Sequence, residues 1–333
     1  MSSFDELPHE EKLKRLEQVA RAAVPAFGLP AQSMVRMINL SENATYKVET
    51  PDGRRFAMRV HRAGYHSKNA IASELAWVEA LRAGSPVITP VSVPGANGEL
   101  IQTVSVPGME PRQVVLFAWE EGAEPSENEL LGPFETLGFV TAQMHAFTRK
   151  WRAPQNFERL TWDFEGAFGP KAHWGSWRAG MGLDERKTEL FSRVVDLIEK
   201  RLQRFGKGPH RFGLVHCDMR LANLMIDGSK TKVIDFDDCG MSWYLYDCAT
   251  ALSFIEHRPD VPHLVEAWVK GYRRALDLPD EDVAEIPTFI MFRRMLLIAW
   301  IGSHSETDLA QSMGVPYTND TVALAEDYLK RFG

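Results

Sequence analysis

The chain has 333 residues, of which 44% are hydrophobic and 25% charged, the composition of an ordinary globular protein with material for about two domains. Its formal net charge of -7 excludes a bulk electrostatic attraction to nucleic acid or to anionic lipid, so we expect neither as a partner. The three cysteines, an odd and low number, do not suggest a disulfide framework and favour a cytoplasmic location.

No segment has the pattern of a leader peptide or of a membrane span. The N-terminus, MSSFDELPHEEKLKRL, is acidic and lacks an apolar stretch. The most apolar run, residues 289–302, is short for a bilayer and is interrupted by Arg293 and Arg294. We therefore expect this run to be a buried helix of the core.

The first third of the chain predicts a sheet with an inserted helix. In chain order, the predicted elements are a helix (9–24), three strands (33–40, 45–50 and 54–62), a helix (67–83) and two strands (98–106 and 112–120). Alternate side chains of the third strand are predicted to form two sets, one on each face of the sheet. The first set is Phe56, Met58 and Val60, and the second is Ala57, Arg59 and His61.

The pattern changes after Gly122. Helices are predicted over 127–150, 183–205 and most of the chain from about 243, with a β-rich pair at 213–227 and 231–240 between them. The fold class is therefore α+β. We predict a small lobe of antiparallel sheet with one main helix over residues 1–121 and a larger, mainly helical lobe over residues 122–333.

Two short segments, HCDMRLAN (216–223) and VIDFDD (233–238), carry the strongest chemical signal. Phosphoryl transfer from ATP needs a carboxylate that orients and deprotonates the acceptor hydroxyl, and Asp218 supplies one. It also needs oxygen ligands for magnesium, which Asn223 and Asp235 supply from the same loop and from the next hairpin strand. An isolated carboxylate would be an ordinary solvated side chain, but this ordered set between apolar strands is not.

The order H-x-D-x-x-x-x-N followed by I-D-F resembles the catalytic loop and metal-binding aspartate of kinases. The form I-D-F-D-D resembles the aminoglycoside phosphotransferase and choline kinase superfamily. Within it the chain resembles the type II homoserine kinase-like branch, which includes a bacterial stress-response Ser/Thr kinase. The resemblance extends over about residues 33–330 and implies a protein-kinase-like fold, with a nucleotide-binding lobe over 1–121 and a catalytic and substrate lobe over 122–333.

The resemblance also implies ATP and Mg²⁺ as cofactors. Arg220 follows Asp218 by two residues, where Ser/Thr protein kinases carry a lysine near the transferred phosphate. We predict a catalytic role for it, with a solvent-facing loop arginine as an equal alternative. Asp247 resembles the aspartate that supports the catalytic loop from the helix behind it, and its predicted role is structural.

The segment AMR (57–59) stands where kinases carry A-x-K. The resemblance implies that Ala57 contacts adenine and that Arg59 binds the nucleotide phosphates in place of lysine, with a different reach and shape. Glu74, in the following helix, resembles the ion-pair partner of the phosphate-binding residue. The alternatives without a functional role are a surface arginine on an edge strand for Arg59 and an exposed helical glutamate for Glu74.

The phosphate loop implied by the resemblance is LSENATYKV (40–48), which contains no glycine. Its Ser41, Asn43 and Thr45 are predicted to hydrogen-bond phosphates through side chains and backbone N–H groups. The strand at 114–122 resembles the kinase hinge, where backbone groups of residues 117–119, including Phe117 and Trp119, would bind adenine.

The acceptor site is the least determined part of the sequence. Residues 160–182 are rich in aromatic residues and glycine, and Trp162 and Trp174 are predicted to line a substrate pocket, with acids such as Asp163 helping to hold a cationic group. A loop packing its aromatic side chains into the helical lobe is the equal alternative. Asp238 is predicted to bind an amino group of the acceptor, or else to cap the next turn.

We therefore predict an ATP-dependent kinase that phosphorylates a hydroxyl of a small molecule such as an amino alcohol, homoserine or an aminoglycoside. Two alternatives remain at this point. One is a Ser/Thr protein kinase of the stress-response type, and the other is an ATP-binding pseudokinase, suggested by Arg59 and the glycine-free loop. The sequence leaves the acceptor, the number of metal ions and the oligomeric state open.

Overall fold

A computed structural model of the chain describes residue 4 and residues 7–41, 43–125, 129–305 and 307–333. Contacts within it divide the chain into two compact units. The first comprises Met1–Ala80, Thr89–Glu121 and Ala153–Glu158, and the second comprises Leu81–Ile88, Gly122–Arg152 and Arg159–Gly333.

The first unit is built on a five-stranded antiparallel sheet in the order β1-β2-β3-β5-β4. Its strands are β1 (Met34–Leu40), β2 (Ala44–Glu49), β3 (Arg55–Val60), β4 (Ile101–Val104) and β5 (Arg112–Ala118). All five predicted strands are present, and their ends differ from the predicted ends by a few residues. Glu42, within the predicted phosphate loop, lies outside the described residues.

Two helices cover the two faces of this sheet, α1 (His9–Ala23) and α2 (Lys68–Gly84). The apolar stripe of α1 packs in one cluster with the Phe56, Met58 and Val60 side of β3. Ala57 lies in a second cluster, with Ile71 and Leu75 of α2 and with Ile101, Val115 and Phe117 of the sheet. The alternation predicted for β3 is confirmed, because successive residues of a strand face opposite sides of the sheet.

The second unit is mainly helical. Its helices are α3 (Leu131–Thr148), α4 (Phe164–Phe168), α5 (Glu185–Phe205), α6 (Tyr244–Ala251), α7 (Val261–Tyr272), α8 (Asp280–Val283), α9 (Ile286–Ser303) and α10 (Asp308–Phe332). The helix predicted over 127–150 is α3, and residues 127–128 of that prediction lie outside the described part of the chain. Helix α10 contains a kink at Gly314, whose φ is 43°, two residues before Pro316.

Two short antiparallel ribbons in this unit carry the motif residues. Strands β6 (Phe212–Val215) and β9 (Gly240–Trp243) form one ribbon, and β7 (Leu224–Asp227) and β8 (Lys230–Val233) form the other. The segment HCDMRLAN therefore connects β6 to β7 and contains a 3₁₀ turn at Leu221–Asn223. The acidic segment VIDFDD runs from the end of β8 towards β9.

Helix α9 is the centre of the helical core. The stretch Asp280–Ser303 is long and apolar enough to cross a membrane, but 78% of its most apolar window is buried inside the protein. The expectation of a buried core helix is confirmed.

Candidate active site

The backbone of the loop after β6 is fixed by helix α6. Asp247 accepts hydrogen bonds from the backbone N–H groups of Cys217 (2.8 Å) and His216 (3.2 Å). Cys217 has a φ of 67°, a left-handed conformation that costs a non-glycine residue on the order of 1–3 kcal/mol. The loop keeps this conformation because the buried carboxylate binds the two successive N–H groups, the supporting contact predicted for Asp247.

Asp247 is itself held by a buried histidine of α3. Nε2 of His145 donates to Oδ2 of Asp247 (3.0 Å), and Nδ1 accepts from the hydroxyl of Tyr272 (2.9 Å). A carboxylate oxygen accepts hydrogen bonds, so the proton of the neutral His145 ring is assigned to Nε2. Burial lowers the pKa of His145, and the nearby Asp247 counters that effect only in part.

The carboxylate of Asp218 is surrounded by hydrogen-bond donors. Nη2 of Arg293 donates to Oδ1 (2.9 Å), and Nδ2 of Asn223 donates to Oδ2 (2.9 Å). Nε of Arg220 lies 3.2 Å from Oδ1 and 3.1 Å from Oδ2. Burial by itself would raise the pKa of Asp218, but the charges of Arg220 and Arg293 outweigh it and hold the pKa below its usual value. The group is therefore ionised, as an acceptor of a hydroxyl proton must be.

Arg293 is the site residue that the sequence analysis missed. Its guanidinium also donates to Ser253 Oγ (3.0 Å) and to the hydroxyl of Tyr246 (3.0 Å), and it is almost fully buried. The sequence contained a signal, because a charged residue inside an otherwise apolar helix is rarely buried without a partner. That signal does not indicate which carboxylate the partner is.

The two predicted metal ligands lie on segments that are hydrogen-bonded to each other. The N–H of Ile234, which precedes Asp235, donates to the carbonyl of Asn223 (2.9 Å). His216 links the same segments, because its Nδ1 accepts from the N–H of Asp218 (3.3 Å) and its Nε2 bonds to the carbonyl of Ile234 (3.1 Å). Asp235 has a φ of 62°, a second left-handed residue in this short region.

These residues have the donor chemistry that a divalent cation requires. Both N–H bonds that Nδ2 of Asn223 makes go to Asp218, to its carbonyl (2.8 Å) and to its carboxylate. The amide oxygen of Asn223 therefore points away from that carboxylate. An amide oxygen and a carboxylate oxygen are both hard ligands of the kind that Mg²⁺ prefers, so the residue types of Asn223 and Asp235 fit the predicted metal site. Among the described residues, no three His, Cys, Asp or Glu side chains form a metal cage of their own.

In the first unit, Arg59 and Glu74 form the predicted ion pair. Nη1 of Arg59 lies 2.7 Å from Oε1 of Glu74, and the two side chains are 9% and 1% exposed. The guanidinium also lies 5.4 Å from the ring centroid of Phe117. Ala57 pairs with Phe117 in the β3–β5 register, so the residue expected to contact adenine is on the same face of the sheet as Arg59.

The described residues of the predicted phosphate loop are the last residue of β1, Ser41, Asn43 and most of β2. The N–H of Ser41 donates to the carbonyl of Asn43 (3.0 Å), and Oδ1 of Asn43 accepts from the N–H of Arg62 (3.0 Å). The Asn43 side chain is thus used, at least through its oxygen, to hold the loop to the end of β3. Thr45 pairs directly with Arg59, which places both side chains on one face of the sheet.

Two backbone N–H groups of the predicted hinge bond to other backbone groups of the first unit. The N–H of Ala118 donates to the carbonyl of Val91 (2.8 Å), and that of Trp119 donates to the carbonyl of Arg55 (3.2 Å). These two N–H groups are therefore already bonded within the first unit. The side chain of Phe117 packs in the core, and that of Trp119 lies 5.5 Å from Nζ of Lys47.

The two tryptophans predicted to line an acceptor pocket pack into the protein. Trp162 and Trp174 are only 1% and 4% exposed, and their ring centroids lie 4.8 Å apart. Nε1 of Trp162 donates to the carbonyl of Asp238 (2.9 Å). This burial favours the alternative of aromatic side chains packed into the helical lobe, and a role for the two tryptophans in an acceptor pocket stays a prediction. Trp174 lies 5.3 Å from the guanidinium carbon of Arg293, next to the partner of Asp218.

The two acidic side chains predicted near the acceptor site differ in what surrounds them. Asp163 caps α4 by accepting from the N–H of Gly166 (2.9 Å), and it pairs with Nζ of Lys207 (2.6 Å), so it is occupied by structural contacts. Asp238 is half-buried. Burial raises the pKa of Tyr246, and the charge of Asp238 adds to that shift. Tyr246 and Asp218, and after them Asp238, raise the pKa of Arg293. Asp238 thus lies within electrostatic range of the side chains that surround Asp218.

Known proteins are similar to this chain over most of its length. The profile of a family described as "Phosphotransferase enzyme family" matches residues 38–285. The solved structure of a microcompartment-associated aminopropanol kinase is 42% identical, with a TM-score of 0.89, and covers 95% of this chain and 98% of that one. Amicoumacin kinase of Bacillus subtilis (strain 168) is 25% identical over 302 residues, which are 86% of this chain and 85% of that protein.

A solved amicoumacin kinase in complex with AMP-PNP and Ca²⁺ has a TM-score of 0.75 at 20% identity and covers 96% of both chains. At that identity the likeness concerns the fold. Together with the similarity to the aminopropanol kinase, this likeness confirms the predicted α+β, protein-kinase-like fold.

Proposed function

This chain belongs to the phosphotransferase enzyme family, and we propose that it transfers the γ-phosphate of ATP to the hydroxyl group of a small amino alcohol. Kinases related to it use ATP with a divalent metal, in agreement with the predicted cofactors ATP and Mg²⁺. Within the superfamily, the homoserine kinase-like branch stays a prediction.

The observation that carries the proposal is the environment of Asp218. A buried carboxylate usually gains a proton, yet the two arginine side chains keep this one ionised. Donors on both of its oxygens also restrict its orientation. A carboxylate held ionised in one orientation can accept the hydrogen bond of an acceptor hydroxyl, orient its oxygen for in-line attack, and take its proton as the new P–O bond forms.

The remaining residues have roles that follow from their charges. A divalent cation held by Asn223 and Asp235 would supply positive charge to the phosphate oxygens as negative charge develops on them. Arg59, fixed by Glu74, presents a guanidinium that can bind phosphate in a bidentate manner. Arg220 is 29% exposed in its side chain, so it is the arginine at Asp218 that can reach a transferred phosphate.

The acceptor class is proposed from similarity and from charge. The 42% identical relative is an aminopropanol kinase, and aminopropanol is a small amino alcohol, one of the classes predicted from the sequence. Asp238 is the candidate ligand for the acceptor's ammonium group, because it lies near the Asp218 cluster and carries the opposite charge. For location we propose the cytoplasm, where ATP and reduced thiols are available to a chain with three free cysteines.

The test is γ-phosphate transfer from Mg-ATP across a panel of amino alcohols, homoserine, choline, aminoglycosides and generic proteins. We expect transfer to an aminopropanol-like acceptor. Asp218→Asn keeps the size of the side chain but removes its charge and basicity, and it should reduce the turnover number by on the order of 10²–10⁴-fold. ATP affinity, measured by calorimetry, should change little.

The outcomes separate the alternatives. Transfer to serine or threonine of proteins, with none to small molecules, would support the stress-response type of protein kinase. ATP binding without transfer to any acceptor would support a pseudokinase. Loss of ATP binding in a folded Asp218→Asn protein would contradict the role given to Asp218.

A further inference from the structure

The two arginines that contact Asp218 differ in where they come from and in how they are held. Arg220 belongs to the catalytic loop itself, and its guanidinium lies 5.6 Å from the ring centroid of Phe254. Arg293 comes from helix α9, 75 residues after Asp218, and only 4% of its side chain is exposed, against 29% for Arg220. One arginine therefore lies on the accessible side of the carboxylate, and the other lies on the buried side.

The guanidinium of Arg293 is fixed by contacts to other structural elements. Its Nε donates to Ser253, just after α6, and its Nη1 donates to Tyr246 within α6. Trp174 and Tyr246 lie 5.3 and 5.7 Å from its central carbon. With Nε and Nη1 engaged, the planar group can present Nη2 to Oδ1 of Asp218 in only one direction.

The carboxylate of Asp218 is thereby hydrogen-bonded from two sides. Arg293 binds Oδ1, and Asn223 binds Oδ2 from within the loop. Rotation of the carboxylate would break both of these bonds at once. Arg220 bridges both oxygens from the exposed side with longer contacts, so it is the donor that an incoming hydroxyl can replace.

We propose that Arg293 is a positioning residue for the phosphoryl transfer, holding the Asp218 carboxylate in the orientation that the acceptor hydroxyl requires. This inference rests on the proposed function, in which Asp218 is the base. Arg293 acts through Asp218 and has no contact with the substrates. Loss of its contact reduces the chemical step and leaves nucleotide binding in place.

The neighbouring residue, Arg294, is a matched control. It is on the same helix and fully buried, but it binds Glu256 (2.8 Å), Thr321 (2.8 Å) and the carbonyl of Tyr317 (2.9 Å). None of these groups contacts Asp218. Arg293→Lys and Arg294→Lys therefore make the same chemical change at adjacent buried sites, and only the first removes a bond to the base.

The experiment measures turnover number, the KM for ATP and for the acceptor, and the melting temperature of both variants. A lysine cannot bond to Asp218, Ser253 and Tyr246 together, so Arg293→Lys should lose about 10²-fold in turnover number, with the KM for ATP within about twofold of wild type. Arg294→Lys should lower the melting temperature and keep the turnover number within about threefold. A folded Arg293→Lys enzyme with wild-type turnover would overturn the proposal.

Two further measurements keep the test decisive if Arg293→Lys does not fold. Tyr246→Phe removes one hydroxyl that holds the guanidinium and should reduce turnover by about tenfold, or roughly 1.4 kcal/mol, without loss of structure. Arg293→Ala should regain turnover when guanidinium ion is added at millimolar concentration, whereas the turnover of Arg294→Ala, in which Asp218 keeps its bonds, should not respond to guanidinium. Unchanged turnover in Tyr246→Phe, or no such difference between the alanine variants, counts against positioning by Arg293.

The proposed function and this inference fail in different ways. If wild type transfers phosphate and Asp218→Asn does not, the function stands and the Arg293 variants test the inference alone. If no acceptor is found, a crystal structure of Arg293→Lys provides a readout that needs no substrate. The Asp218 carboxylate should have rotated away from Asn223, and an unchanged side chain would refute the proposal.

Discussion

At the residue scale, the departure from the kinase pattern at Arg59 is compensated by its surroundings. The guanidinium keeps the positive charge, its partner Glu74 is 2.7 Å away, and Phe117 packs beside it. A buried pair of this kind contributes little net stability but is costly to break, because a single substitution leaves one charge buried without its partner. Stability and nucleotide binding can therefore be separated at this position.

We expect Arg59→Met and Glu74→Leu each to lower the free energy of unfolding by about 3–5 kcal/mol. The double variant should recover most of that loss, because no buried charge is left alone, while ATP binding stays weak. Chemical denaturation measures the free energy of unfolding, and calorimetric titration measures ATP binding. Both are applied to wild type, the two single variants and the double variant. Tight ATP binding by the double variant would exclude Arg59 as a phosphate ligand.

At the element scale, helices α3, α6 and α7 form a buried polar network behind the catalytic loop. His145 of α3 faces Asp247 of α6 and Tyr272 of α7, with Arg149 and Tyr244 also close to it. The histidine is neutral in the folded protein because burial lowers its pKa. The stability of this network therefore depends on pH, although His145, Asp247 and Tyr272 are buried.

The sign of this dependence follows from the lowered pKa of His145. As pH falls below about 6.5, the unfolded chain takes up a proton at this histidine and the folded chain does not, so stability decreases. One such proton amounts to at most about 1.4 kcal/mol per pH unit. Urea unfolding of wild type and His145→Gln between pH 7 and 5 should give a smaller slope for the variant. Equal slopes would mean that other groups determine the acid sensitivity.

Helices and strands could be predicted from the sequence where a single hydrophobic period dominates the segment. The alternation in β3 and the apolar stripes of α1 and α2 follow from periods of 2 and 3.6 residues, and the structure has them. The tryptophans of residues 160–182 have no such period, so pocket and core packing could not be distinguished. Burial of Trp162 is decided by its neighbours in space, such as His173 and Trp174.

At the scale of the whole molecule, the motif order identified the chemistry, but not the groups that position it. Asp218, Asn223 and Asp235 are close in sequence, and their segments are linked by the bonds of Ile234 and His216. Arg293 joins Asp218 across 75 residues, a contact for which a single sequence contains no spacing rule. Local motifs therefore predict reactive groups better than the distant residues that orient them.

The three thiols give a prediction that involves both the core and the reactive loop. Cys217, Cys239 and Cys248 are free and buried, and burial raises the pKa of Cys217 and of Cys248. The native protein should therefore react slowly with Ellman's reagent, and three thiols should react after denaturation. Rapid labelling of one native thiol would indicate that its segment opens to solvent.

Helix α9 has a further consequence, which concerns synthesis on the ribosome. The stretch Asp280–Ser303, which includes α9, is long and apolar enough for a membrane span, yet Arg293 and Arg294 lie near the centre of α9. Each arginine at the middle of such a segment adds about 2.5–3.5 kcal/mol to the cost of insertion by the translocon. The two side chains that organise the catalytic loop and the C-terminal helix therefore also disfavour the transfer of this apolar segment into lipid before the protein has folded.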